Sequence, residues 1–443
     1  MRRLPLLLTV ALSFLAPLAL AARRAAPASA LTPKEQRMVA SVDRHAPEAL
    51  ALLERAVNEN SGTLHLAGVR RVGELFEAEF RRLGFRTRWV DGSAWGRAGH
   101  LVAEHGRRGP KVVLVGHLDT VFEPDSPFQR FVRLDDATAT GPGVTDMKGG
   151  IVVMLTALKA LRDAGRLDDL RLMVVLTGDE ERTGSPLAAA RADLLAAAQG
   201  ATAALGFEDG DGHPDRVVIA RRGSTSWRLR VRGTPAHSSQ VMTEDVGPGA
   251  ILEAARILQA FRDSLAFEPY LTFNPGLVLG GTTITQDPVG SRGTAFGKNN
   301  VVAESTLVSG DLRVIAPEQL ARARGVMERS VADTHPRCEA SLVFDDGYPP
   351  LPPTDGNRRL LAMADRASRD LGLRPLTAVD PARAGAADVS HLHGLVPMIV
   401  DALGLKGSGG HTAQETALLN TLPVQAKRTA VLLSRLADLR PGR

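Results

Sequence analysis

A chain of 443 residues is too long for one ordinary hydrophobic core, so the sequence predicts two domains. Its 44% hydrophobic and 23% charged residues are the balance of a soluble globular protein. The formal net charge of +5 is small for this length, the Lys and Arg residues are scattered, and no basic stripe alternates with aromatics, which argues against nucleic-acid binding.

The first thirty residues differ from the rest. Arg2 and Arg3 precede the apolar run "LPLLLTVALSFLAPLALA", and small-residue cleavage sites follow Ala21 and Ala30. Residues 1–30 therefore read as a secretory signal peptide, which predicts an exported protein, periplasmic or secreted, with no stable membrane span after processing. Pro17 interrupts the run, which is short for a span of about 20 residues. The lone Cys338 forbids an internal disulfide and a thiolate metal cage.

A helical layer is predicted from Leu31 into "NENSG", and an amphipathic helix over Val72–Gly84. "KVVLVGH" (111–117) is a continuous apolar run of the kind buried on both faces of a parallel sheet. The helix after Gly150 sets Ile151, Met154, Leu155, Leu158 and Leu161 on one face, and "LRLMVVLTGDEE" is a second buried strand with acids at its end. The repeating β-α-β order predicts a doubly wound, mostly parallel α/β domain, with its site beyond the carboxyl ends of the strands. From Arg221 the pattern changes. "SWRLRVRG" alternates apolar and polar, a helix over 249–265 aligns Ile251, Ala254, Ile257, Leu258 and Phe261, and strands "LTFNPGLVLGG" and "STLVSGDLRVI" lead to a helix opening at Pro317. Later, "LVPMIVDALG" and a closing helix from about Pro423 restore the α/β character. The expected architecture is an α/β domain formed by 31–220 and 342–443, with an α+β domain inserted over 221–341.

Polar groups collect where the buried strands end. His117 and Asp119 follow the first, Asp146 opens the next helix, and Glu180 and Glu181 end the second strand; Glu208, Asp209 and His411 follow further apolar runs. Each has an ordinary explanation alone: Asp146 as a helix cap, Glu180–Glu181 as a solvated loop, "GLKGSGGH" as a flexible loop without the Lys-Ser/Thr ending of a phosphate cradle. Their shared placement points instead to one site, and two His with several carboxylates and no Cys suit two divalent ions such as zinc.

"GHLDTV", "GPGVTDMKGG", "GDEERTGS", "GFED" and "GTPAHSS", in this order, resemble the M20 family of zinc peptidases, most closely its glutamate carboxypeptidase branch. The likeness extends to "NENSGTLHLAGV" and "GSGGHTAQETALLNTLP". It implies a di-zinc hydrolase with a ferredoxin-like inserted domain that acts as lid and dimerisation surface. By the same resemblance, one zinc is bound by His117, Asp146 and Glu208, and the other by Asp146, Glu181 and His411, so that Asp146 bridges. Asp209 stands as the alternative to Glu208. Asp119 would orient His117, and Glu180 would be the general base. The resemblance assigns His237 to the oxyanion and Asn300 and Arg313 to the substrate; Asn299 replaces Asn300 under a one-residue shift, because 282–298 is longer than usual. Asp388 falls near the substrate pocket without a ligand role, and His391 and His393 are structural or pocket-rim residues. The Asp146–Met147 peptide bond is expected to be cis. The implied activity is release of a C-terminal amino acid from a small peptide. An N-acyl amino-acid amidohydrolase or dipeptidase with the same site is the alternative, and a non-catalytic binding protein is the reading from another class. The substrate bears a free carboxylate in either enzymatic case, and a homodimer through the insert is expected.

Overall fold

The computed structural model describes residues 31–287 and 292–439; the expected signal peptide lies outside them. Thr32 starts helix α1 (Pro33–Val57): its hydroxyl accepts the Glu35 N–H at 3.2 Å while the Glu35 carboxylate accepts the Thr32 N–H at 2.7 Å. Helix α2 (Leu66–Arg82) starts at Leu66 rather than Val72; Leu66 and Ala67 are exposed, and the buried stripe begins at Gly68 and Val69.

Strands β1 (Arg86–Asp91), β2 (Gly99–His105), β3 (Lys111–His117), β4 (Arg171–Thr177) and β5 (Ala203–Gly206), with a last strand at Ile399–Val400, form a six-stranded sheet. Its order is β1-β2-β4-β3-β5 and then 399–400. Pairing is parallel from β4 to 399–400 and antiparallel at the β1–β2 edge. The lack of polar alternation in "KVVLVGH" has a direct cause. Val112 and Leu114 pack into the core shared with α1, α3 (Lys148–Asp163) and the closing helix Thr421–Ala437. Val113 and Val115 pack on the other face against Leu194 and Ala197 of α4 (Ala192–Ala198). Helix α3 departs from its expected one-sided burial. It lies between the sheet, α1 and the closing helix, and every residue from Lys148 to Leu161 is buried.

The second sheet is antiparallel. Strands β6 (Gly223–Gly233), β7 (Thr272–Gly281), β10 (Ser305–Val314) and β11 (Cys338–Asp346) take the order β7-β10-β6-β11, with a side hairpin of β8 (Thr283–Gln286) and β9 (Gly293–Phe296). That hairpin occupies the unusual length of 282–298. Helices α5 (Gly249–Leu265) and α6 (Pro317–Ala332) cover one face, where Trp227, Leu229, Val231, Ile257, Phe261 and Met327 form a core. Arg228, Arg230 and Arg232 alternate onto the open face. Ile251 is a correction: it is 46% exposed, because the buried stripe of α5 runs through Ala250, Ala254, Ile257, Phe261 and Leu265.

The chain passes between the sheets twice, and the two passages pair with each other. The Arg221 and Leu351 N–H groups each donate to the other's carbonyl at 2.9 Å, and Ser224 N–H donates to Tyr348 O at 2.8 Å. Strand β11 holds register with β6 as far as Asp346↔Thr225, so the second sheet runs past residue 341. No helix among the described residues is long and apolar enough to cross a membrane.

Candidate metal centre and active site

The carboxyl ends of β3, β4 and β5 converge on one edge of the sheet. β3 ends in His117, the turn before α3 carries Asp146, and the segments after β4 and β5 carry Glu180–Glu181 and Glu208–Asp209. The loop with His411 closes the group from the C-terminal part of the chain. Two triads result, His117–Asp146–Glu208 and Asp146–Glu181–His411, and within each the ligand atoms lie inside 4.8 Å of one another. Asp146 belongs to both, one oxygen toward each histidine: Oδ1 is 3.0 Å from His117 Nε2, and Oδ2 is 3.0 Å from His411 Nε2. His117 Nε2 is 3.5 Å from Glu208, and His411 Nε2 is 3.2 Å from Glu181. Of the two acids left open after β5, only Glu208 joins a triad.

The hydrogen bonding sets the His117 tautomer. Its Nδ1 lies 3.0 Å from the backbone carbonyl of Asp119, which can only accept, so Nδ1 carries the proton. Nε2 faces the Asp146 carboxylate at 3.0 Å, where either a proton or a bound cation joins the two. Asp119 does more than face this ring. Its carboxylate is 3.5 Å from Nδ1, accepts the N–H groups of Glu180 and Glu181 at 3.1 Å each, and accepts the Thr63 hydroxyl at 2.7 Å. One fully buried acid thus ties the end of β3 to the segment bearing the expected base.

The electrostatics point the same way. Burial pushes Glu181 and Glu208 up to about 7, with Asp146 adding to both. Burial and the nearby Glu208 and Asp388 also raise Glu180 well above the carboxylate range, despite the opposing pull of His117. Contacts to Asp146 and Glu181 raise His411 to about 11. Burial works to lower His117, but Glu208, Asp119 and Asp146 outweigh it and raise it. The cluster holds more buried negative charge than its two imidazoles balance, which is the chemistry of a site for divalent cations. Oxygen and nitrogen donors in triads around one shared carboxylate fit a pair of such ions.

A cavity of about 460 Å³ opens over the triads; Glu180, Asp209, Arg221, Ser224, Arg313 and Tyr348 also line it. Arg221 is buried, holds Asp401 through Nε at 3.0 Å and Nη2 at 2.6 Å, and Asp401 in turn accepts the Glu208 N–H at 3.2 Å. Tyr348 donates its hydroxyl to the Glu180 carbonyl at 2.7 Å. Buried Lys406 donates to the Asp209 carbonyl at 2.8 Å. The Asp146–Met147 peptide is cis.

Of the expected substrate residues, Arg313 lines the cavity. His237 and Asn300 do not: both are exposed on the insert, where Ser238 N–H donates to Asn300 O at 2.9 Å and His237 bridges Val301. Asn299 is exposed beside Asn300. Asp388 is buried, 2.8 Å from Arg191 and 2.5 Å from the Thr177 hydroxyl. The His391 ring packs at a tilt against Tyr348, with centroids 5.3 Å apart, and neither it nor His393 joins a donor group among the described residues. Sequence reasoning missed Arg221, Asp401, Tyr348, Lys406 and Glu415. Of these, only Glu415 lies close in sequence to an expected ligand, in the same loop as His411. A larger cleft of about 840 Å³ at the sheet's far edge gathers no catalytic set: His105 pairs with Asp168 at 2.8 Å and Arg166 with Asp438 at 2.7 Å.

A mostly parallel α/β sheet with an inserted antiparallel domain, and a shared-carboxylate donor cluster at its strand ends, define a metallopeptidase-type hydrolase. The chain belongs to the peptidase family M20/M25/M40, whose model matches residues 113–435. It is 23% identical over 368 residues to carboxypeptidase G2 of Pseudomonas sp. (strain RS-16), covering 83% of each chain. It is 32% identical over 172 residues to the succinyl-diaminopimelate desuccinylase of Gluconacetobacter diazotrophicus, covering 36% of this chain and 43% of the relative. Its fold is similar to that of aminopeptidase PepT from Bacillus cereus, with a TM-score of 0.68, 19% identity, and coverage of 89% of this chain and 99% of that one.

Proposed function

We propose that this protein is an exported carboxypeptidase that holds two zinc ions through His117, Asp146, Glu181, Glu208 and His411 and hydrolyses the amide bond before a C-terminal amino acid. The observation that carries the reading is the meeting, in one cavity, of the two Asp146-sharing triads, the unattached acid Glu180 and the guanidinium of Arg313. The bound ions would supply Lewis acidity, polarising the scissile carbonyl and lowering the pKa of water.

The chain's own groups do the rest. Glu180 belongs to neither triad, so its carboxylate is free to accept the proton of the attacking water and return it to the leaving amine. Its raised proton affinity, caused first by burial, suits a group that must both take and give a proton. The adjacent Glu181 serves as a ligand, which separates the two tasks between neighbouring acids. Arg313 commits Nε to Asp311 at 2.8 Å and turns its remaining donors to a substrate carboxylate. His237 and Asn300 stand together on the exposed insert, and we assign them to the oxyanion and substrate of a second copy's cavity within a homodimer. Export rests on the residues 2–21 pattern of two arginines and an apolar run. The extent and coverage of the likeness to carboxypeptidase G2 support peptide cleavage. The partial likeness to a desuccinylase supports the second reading, hydrolysis of an N-acyl amino acid at the same site.

The deciding experiment is a panel of N-acyl amino acids, dipeptides and peptidyl- or folyl-glutamates on metal-loaded protein, with Glu180→Gln as control. The carboxypeptidase reading expects a free C-terminal amino acid from the peptides. Release of acyl groups alone, with no peptide cleaved, overturns it in favour of the amidohydrolase.

A further inference from the structure

Glu415 is fully buried, and its carboxylate is met by three backbone donors and a hydroxyl. The N–H groups of Gly143, Thr145 and Asp146 lie at 3.0, 2.8 and 3.1 Å, and the Thr145 hydroxyl at 3.1 Å. All four come from the turn that ends in Asp146. The Glu415 carbonyl also accepts the Thr140 hydroxyl at 2.6 Å, and the strand Thr416–Leu418 pairs antiparallel with Thr138–Thr140. Glu415 therefore clamps the turn that presents Asp146 to the loop that presents His411.

That loop needs an anchor. His411 is 59% exposed at its side chain and holds a left-handed backbone, φ 63, which a non-glycine residue keeps only where surrounding contacts impose it. Asp146 has the opposite problem: with one oxygen 3.0 Å from each histidine, its carboxylate tolerates little rotation. A carboxylate receiving three N–H bonds is a charge-assisted, geometrically specific fixture. Replacing the carboxylate by an amide would turn an NH2 group toward donors that need an acceptor.

We propose that Glu415 is a positioning residue of the metal centre: it belongs to neither triad, but fixes the spacing of Asp146 and His411 and thereby the affinity of the triad they form with Glu181. This inference rests on the two-ion reading above, and its test keeps the two separable.

The test measures zinc dissociation constants by competition with a chromophoric chelator, well below the melting temperature, alongside thermal melting of the metal-free protein. Glu415→Gln is expected to weaken at least one of the two zinc dissociation constants about 10–100-fold, the range found for partners that orient metal ligands. Glu415→Asp, which keeps the charge, is expected to recover part of that loss. A role in stability alone would lower the metal-free melting temperature and leave both dissociation constants within about twofold of wild type, and that result overturns the proposal. Thr145→Val removes one of the four contacts and covers the case in which Glu415→Gln does not fold; a rise of about threefold supports the proposal and no change contradicts it. Wild-type protein that binds no zinc would sink the two-ion reading itself, whereas zinc-loaded wild type with an unaffected Glu415→Gln would sink this inference alone.

Discussion

Asp146 shows how one side chain can satisfy a local and a distant demand together. It stands two residues before the first residue of α3, as a capping acid does, yet no side-chain cap bond is made there, and its two oxygens face two histidines. Burial opposes its charge, but the contacts from His117 and His411 hold its carboxyl well below the usual range. Glu180, beside the same cavity, belongs to neither triad. Glu180→Gln is therefore expected to lower kcat by about 10²–10⁴-fold with little change in KM or metal content, measured by steady-state kinetics and metal analysis. A variant with near-normal kcat would remove Glu180 as the base. The donor residues were legible because each sits in a short motif at a strand end. Glu415 was not legible as a fixture, because its partner Gly143 lies 272 positions away and nothing local announces the contact.

At the scale of elements, apolar runs and periodicity located β3, β4 and α5, since burial of both faces or one face leaves a direct mark in sequence. They did not reveal that α3 is enclosed on all sides, because Lys148 and Lys159 in its sequence suggest solvent, although one donates to the Glu59 carbonyl and the other reaches Glu48 and Glu79. The close approach of α3 to the end of β5 depends on Gly150, where a Cβ would fall 1.9 Å from the Phe207 carbonyl oxygen. Backbone cannot yield as a flexible side chain does, so Gly150→Ala is expected to destabilise by about 1–3 kcal/mol or more, read as a lower denaturant midpoint. An unchanged midpoint would contradict this packing.

The far end of α3 makes a pH-dependent tie. Asp163 accepts the Ser41 hydroxyl at 2.6 Å and lies 3.0 Å from His45, both on α1. Burial alone would raise it, but the bonds from Ser41, His45 and Arg162 bring it down to about 2 from an ordinary 3.8. A depressed carboxyl stabilises the fold above its unfolded value and loses that contribution as pH falls toward its folded one. The stability difference between wild type and Asp163→Asn is thus expected to be complete above about pH 5 and to shrink between about pH 4 and pH 2, followed by melting. A difference independent of pH would show that the charge contributes nothing.

For the whole molecule, two domains were legible because the strand pattern changes from continuous to alternating near Arg221. The far boundary was harder to read: β11 also alternates, and only its register with β6 carries it to Asp346. The paired passages at Arg221–Leu351 and Ser224–Tyr348 join the insert to the site through Arg221 and Tyr348, contacts invisible to local pattern. If His237 serves a second copy's cavity, mixing inactive His237→Ala and Glu180→Gln proteins under subunit exchange should restore activity, since each mixed dimer then has one site with both residues intact. Mixtures that stay inactive while mixed dimers form would confine each site to one chain.

The proposed holding of two divalent ions by five side chains, with Asp146 shared, underlies every role assigned above. It is tested most directly by metal analysis of protein purified with zinc present and freed of loosely bound metal. About two zinc ions are expected per wild-type chain and about one after His411→Ala, and strong chelators are expected to remove both ions and abolish hydrolysis. One ion or none in wild type, or a content unaffected by His411→Ala, would contradict it.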